Sequence, residues 1–268
     1  MALGVAIAAC WSGSSLSAQT ATELKESRIW GLQGLRAGYC VRFLAEPHAA
    51  ARELRKGFSL LPAKHDRSLH PAIRQIVNTQ PEFTSWIPSS LCFYFMDAVQ
   101  VGKRRVVERD QQRYQMIGIW TLAAVEQEGG ARRDLALDMY ASRESLLRAA
   151  GAAQIRIQRA HSVVSERPDT VSDIYSVKVG QTLLVWNGRP AGDSTRVDTS
   201  IEESWSVVGL RSRTTGARLV LKPAWSWPLV GSLRVEGKSD LAKALKASPI
   251  RFVGPLYRGG GGELRFSR

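Results

Sequence analysis

Between Lys64 and His70 the chain sets one lysine, two histidines, an aspartate, an arginine and a serine within seven residues. No other stretch is so dense in groups capable of chemistry. A metal would want two histidines four apart on a helix, or two apart on a strand. Here His65 and His70 are five apart, ahead of Pro71, and no third ligand stands nearby. The segment is therefore expected to be a solvated turn, and neither metal nor cofactor is assigned. Hydrolytic chemistry lacks a signature as well. No GxSxG elbow occurs, and the serines of RPAGDSTR and ESWS have no motif around them.

Paired carboxylates could be assembled from Asp97, Asp138, Asp193, Glu202 and Glu203. Asp97 and Asp138 interrupt apolar, strand-like runs. Facing inward, either would have a shifted pKa; a place on the solvent side of a strand that buries one face is expected. The tract Gly259 to Gly262 lacks the GKS or GKT ending of a phosphate-cradling loop and reads as a turn into a last strand. No catalytic residue is assigned.

Three further groupings bear on binding. Cys40 and Cys92 sit in the apolar runs AGYCVRFL and SSLCFYFMDAVQV, without the spacing of a metal or redox motif. In an oxidising compartment they are expected to form a disulfide. Lys103, Arg104, Arg105, Arg109 and Arg113 form the one basic cluster, diluted by Glu108 and Asp110, and are the candidate anion-binding residues. Trp225 and Trp227 share a face if PAWSWP is extended. They are a candidate aromatic platform, with core packing as the commoner use of such rings.

The opening 22 residues carry no charge. An apolar block followed by small polar residues has the order of a secretory signal, with a cut after Ala18. The run Ile7-Ala8-Ala9-Cys10 resembles a lipoprotein signal instead, which makes Cys10 a candidate lipidation site and a lipid anchor a second route. Ser12 to Ser17 interrupt the apolar run too early for a membrane span. Export to the periplasm, the envelope or the medium is thus expected. The formal net charge of +13 favours an anionic surface or an acidic protein as partner; nucleic acid is not favoured. Arginines outnumber lysines by 28 to 9 but are scattered.

The elements follow from period and punctuation. A strand is expected over 34–45 and short helices over 46–58 and 69–80, each with proline early. Strands over 91–101, 114–126 and 134–141 read as an antiparallel meander. A short helix over 143–150 is placed behind Ser142. Beyond 153 almost everything reads as strand, with a hairpin turn at Asn187-Gly188 and other turns at Gly192-Asp193 and 214–216. Helix 240–247 carries Leu241, Ala244 and Leu245 on one side. The fold class is a β-rich α+β domain with antiparallel sheets, sandwich- or barrel-like, two short N-terminal helices and one near the C-terminus. Residues 1–18 are the export signal and 19–268 one domain, with a weak division near 142–152.

The motifs match no family pattern. The function expected is an exported, non-catalytic binding or structural protein of the cell envelope with a basic face. A barrel carrying a small apolar ligand and a secreted hydrolase are the alternatives.

Overall fold

Tyr39, Val41, Phe43 and Ala45 alternate with Cys40, Arg42 and Leu44, and this parity decides where the protein keeps its core and where it keeps its chemistry. In a strand, successive side chains point to opposite faces. The structure is a computed structural model that describes residues 28–101, 104–106, 115–142, 158–166, 173–179, 181–208, 214–258 and 260–267. The leader with Cys10, the residues Lys103, Arg109 and Arg113, and the helix expected over 143–150 lie outside the described residues. So does nearly all of the division near 142–152.

Three α-helices are described: α1 (Pro47–Glu53), α2 (Pro71–Thr79) and α3 (Asp240–Ala247). Each starts where a side chain accepts from the first-turn N–H groups, which have no partner within the helix. Glu46 accepts from His48 and Ala49, His70 from Ala72, and Ser239 from Ala242. Pro71 occupies the first turn of α2, where a missing N–H costs nothing.

The strands are β1 (Arg28–Ala45), β2 (Phe58–Leu60), β3 (Ile87–Val101), β4 (Arg104–Val106), β5 (Gln115–Glu126) and β6 (Arg132–Ala141). Then come β7 (Gln158–Glu166), β8 (Asp173–Val179), β9 (Thr182–Pro190), β10 (Thr195–Arg196), β11 (Ile201–Val208) and β12 (Thr214–Lys222). The last are β13 (Trp225–Trp227), β14 (Leu229–Glu236), β15 (Arg251–Val253), β16 (Leu256–Arg258) and β17 (Gly261–Ser267). The protein is strand-rich and its sheet is mixed. Most pairings are antiparallel, but β6 runs parallel to both β7 and β11.

The pairings form a circuit. β1 pairs with β3, β3 with β5, β5 with β6, β6 with β11, β11 with β12, β12 with β17, and β17 with β1 again. Outside it, β7, β8, β9 and β14 pair in that order. The main core lies between the two. Tyr39, Val41 and Phe43 from β1, Leu91, Phe93 and Phe95 from β3, and Trp120 and Leu122 from β5 pack with Leu184 and Trp186 of β9 and Leu241 and Leu245 of α3. Gly118 of β5 is part of this fit. A Cβ there would come within 3.0 Å of the Phe93 ring and 3.2 Å of Tyr140. A smaller cluster seats α2 on the opposite face of β1, where Leu44 meets Leu69, Ile73 and Val77.

Two turn signals are overturned. Asn187-Gly188 lies inside β9, with Gly188 paired to Asp173 on one side and Gly231 on the other. The segment 214–216 opens β12, where Gly216 faces Ser206 and Ser267. Asn and Gly tolerate turn geometry without requiring it, and strand pairing on both sides decides the matter. The strands expected over 91–101, 114–126 and 134–141 are β3, β5 and β6, which pair antiparallel in chain order, but β3 also pairs with β1, and β6 runs parallel to β7 and β11.

Candidate active site

Arg42 stands on the face of β1 shared with Cys40 and Leu44, opposite Ser90 of β3. Leu44 holds α2 over that end of the face. Between them opens a cavity of about 540 Å³, lined among others by Arg42, Asp66, His70, Ser90, Cys92, Arg132 and Asp134. Four of the side chains are charged and come from three elements of the circuit and its cover: Arg42 from β1, Arg132 and Asp134 from β6, and Asp66 from the loop that leads into α2.

That loop is built around Asp66, whose side chain is 1% exposed. Its carboxylate accepts from the Ser68 N–H at 2.9 Å and the Ser68 hydroxyl at 2.7 Å. From β6, Arg132 donates through Nε at 3.0 Å and through a terminal nitrogen at 3.2 Å. The same guanidinium donates to Asp134 at 2.9 and 3.1 Å. Burial alone would raise the carboxyl pKa of Asp66; the hydrogen bonds from Arg132 and Ser68 outweigh it and hold that pKa below its usual value. Burial would likewise lower that of Arg132, and its two carboxylate partners raise it instead. The solvated turn expected at 64–70 is corrected here. Its aspartate is buried, because an arginine 66 residues later satisfies it.

His70 is the cap of α2 and part of the cavity wall. Its Nδ1 accepts from the Ala72 N–H at 3.3 Å, so in the neutral ring the proton sits on Nε2. Its ring packs on Phe252 with centroids 4.3 Å apart. Burial lowers the pKa, and the positive charge of Arg42 lowers it further. A helix N-terminus also disfavours an imidazolium. At neutral pH His70 is an uncharged Nε2–H donor.

Arg42 is placed differently from Arg132. It donates one hydrogen bond, at 3.0 Å, to the carbonyl of Gly254. Among the described residues it has no carboxylate partner. A guanidinium has five N–H donors, so Arg42 brings an unmatched positive charge and spare donors to the cavity.

The expected site residues are distributed as follows. Cys40 and Cys92 are directly opposite in the β1–β3 register and joined by a disulfide, with Cys92 on the cavity wall. Arg104 and Arg105 lie in β4, opposite Val101 and Gln100. Trp225 and Trp227 lie in β13 with ring centroids 6.4 Å apart and planes tilted by 47°. Trp225 is 43% exposed, whereas Trp227 packs against the main core. Asp138 accepts from Gln158 at 2.9 Å and from Tyr140 at 3.4 Å. None of these groups but Cys92 lines the cavity, among its described residues. Arg42, Arg132 and Asp134 were not singled out from sequence. Only the alternation over 39–45 could have pointed to Arg42, the one charge in that run.

No group of three or more His, Cys, Asp or Glu is arranged for a metal among the described residues. A lysine amine is the side chain that forms Schiff bases with carbonyl substrates. The seven described lysines are all exposed, and none lines this cavity.

No protein-family model matches the chain, and no curated protein matches it by sequence. Its fold is found among solved structures. The enduracididine biosynthesis enzyme MppR complexed with pyruvate aligns with a TM-score of 0.52 at 12% identity, over 88% of this chain and 87% of that one. MppR complexed with the condensation product of pyruvate and imidazole 4-carboxaldehyde aligns at 0.50 and 12%, over 88% and 86%. An acetoacetate decarboxylase from Legionella pneumophila aligns at 0.49 and 10%, over 88% and 85%. These neighbours are enzymes. Against the two MppR structures the expectation of a non-catalytic envelope protein is corrected, and its apolar-ligand and hydrolase alternatives find no support among them. The mistake came from reading scattered charge as a surface property, when part of it lines an interior cavity.

Proposed function

We propose that the protein is an enzyme that binds a small 2-oxo acid in the cavity between β1, β6 and α2 and polarises its carbonyl. One observation carries the reading: Arg42, unpaired with any described carboxylate, shares a cavity wall with a neutral, Nε2-protonated His70. Guanidinium matches carboxylate in forked geometry, so Arg42 holds the acid. The Nε2–H of His70 then meets the neighbouring carbonyl oxygen. A proton leaves the adjacent carbon to solvent, its electron pair forms a C=C bond, and the carbonyl electrons move onto oxygen. A donor already in place where that charge develops is worth several kcal/mol to such a step, about 2.7–4 for one well-placed hydrogen bond.

The pyruvate of the MppR complexes supports the choice of substrate, and the circuit of strand pairings supports a closed, barrel-like sheet with the cavity at its mouth. No described lysine is available here, so the chemistry proposed is carbonyl polarisation rather than Schiff-base formation.

The test is deuterium exchange into the methyl group of pyruvate in D₂O, followed by NMR. The wild-type protein accelerates exchange. Arg42→Gln weakens pyruvate binding by at least about tenfold, and His70→Gln retains binding but loses exchange by about 10²-fold. Exchange at the rate of a protein-free control, with no pyruvate binding by calorimetry, overturns the reading.

A further inference from the structure

Arg42 belongs to a row of residues set side by side across neighbouring strands. It stands opposite Ser90 of β3, and Ser90 stands opposite Thr121 of β5. Directly opposed side chains lie about 4.5–5.5 Å apart at Cβ. Pro88, Ser90 and Cys92 alternate onto one face of β3, and all three line the cavity together with Arg42. Capture by Arg42 and polarisation by His70 leave the Ser90 hydroxyl unused.

That hydroxyl is free to give a proton to the cavity. The Ser90 and Thr121 hydroxyls are 2.8 Å apart, and either could be the donor. The pair has two O–H protons, and the contact between them uses one. Among the described residues, the only other acceptor is the Ser90 carbonyl, which the Thr121 hydroxyl meets at 3.5 Å. That is longer than the range of about 2.5–3.0 Å for O–H···O bonds. Thr121 is 2% exposed and does not line the cavity. With an anion bound, Thr121 donates to Ser90 and Ser90 donates to the anion, so each hydroxyl makes one short bond and the first strengthens the second. The rung is firmly held, because the Ser89 hydroxyl donates to the Thr121 carbonyl at 2.7 Å and accepts from the Trp120 indole at 3.1 Å.

We infer that Ser90 is a further substrate-binding residue: its hydroxyl donates to the carboxylate that Arg42 holds, and Thr121 is the positioning residue that orients it. The inference rests on the carboxylate reading above and deepens it. An ionised carboxylate has about four lone-pair sites, of which a forked guanidinium takes two, so a third donor across the row has a place. Neither Arg42 nor Ser90 then touches the oxygen on which charge develops. Ser90 serves binding, and His70 serves rate.

The experiment is calorimetric titration of the full chain with pyruvate, paired with methyl exchange measured over a range of pyruvate concentrations. Ser90→Ala weakens pyruvate binding about tenfold and raises the pyruvate needed for half-maximal exchange by the same factor, while the rate at saturation changes far less. Ser90→Thr keeps the hydroxyl and binds within about threefold of wild type. Thr121→Val weakens binding by about threefold, and Thr121→Ser restores it. Thermal melts confirm folding, and Ser90→Gly is the second hydroxyl-free variant should Ser90→Ala not fold. Wild-type affinity in Ser90→Ala, with Arg42→Gln still weakened, overturns this inference and leaves the carboxylate reading intact. Unchanged affinity with slower exchange at saturation also overturns it, because it puts the hydroxyl on the carbonyl oxygen instead. Absence of pyruvate binding in the wild type overturns both.

Discussion

Arg42 is half-buried beside a histidine that burial first, and the Arg42 charge second, keeps neutral, and this local pairing can be tested by pH. The imidazole of His70 titrates below its usual value, so the unfolded chain takes up that proton first as pH falls. The contribution of His70 to stability is complete above about pH 6.5 and is lost below it, toward the lower pKa of the folded protein. Following the His70 ring protons by NMR, we expect a midpoint below 6.5 that rises in Arg42→Gln; an unchanged midpoint would show that Arg42 does not act on it. Asp66 has the same sign with another cause. Its pKa is depressed, so its stabilising effect is present above about pH 4 and disappears as acid protonates it. Asp66→Asn costs about 1–3 kcal/mol at neutral pH, less than a wholly buried pair because Arg132 is 36% exposed on its side chain. Urea melts at pH 7 and pH 3 check both, since the variant should also lose part of the acid sensitivity.

The strands and helices make their demands through fit. In β5, Gly118 lies under the Phe93 and Tyr140 rings, and Gly118→Ala is expected to cost about 1–3 kcal/mol by overpacking, read as a lower Tm with an unchanged fold. The disulfide closes a loop of 52 residues between β1 and β3. Reducing it, or replacing both cysteines by alanine, lowers stability by ~4 kcal/mol in the chain-entropy picture; mass spectrometry under non-reducing conditions shows the bond directly. At this scale the sequence was readable where period and punctuation agree. Pro71 with Ile73 and Val77 marked α2, and the apolar run 116–125 marked β5. It was unreadable where neighbours decide. Asn187-Gly188 reads as a turn until strands pair on both of its sides, and Asp66 reads as solvated until Arg132 arrives from β6.

At the scale of the molecule, the strand content and helix positions were legible, but the circuit was not. Closing it requires β6 to run parallel to β11 and β17 to enter between β1 and β12, and no local pattern encodes partners so far apart. The cavity was invisible for the same reason, since its charged lining is drawn from β1, β6 and the loop before α2. Composition recorded an excess of arginine and could not tell an arginine on the surface from one on an inner wall.

β1 also has a temporal burden. It meets β3 along one edge and β15, β16 and β17 along the other. On the ribosome it precedes the strands that complete its second edge, which are made more than two hundred residues later. In that interval an apolar ribbon is left with one open side, the kind of template on which nascent chains mispair. Long-range closure of this sort is slow, so production of the protein should depend on holding chaperones, and slower elongation or lower temperature should raise its soluble yield.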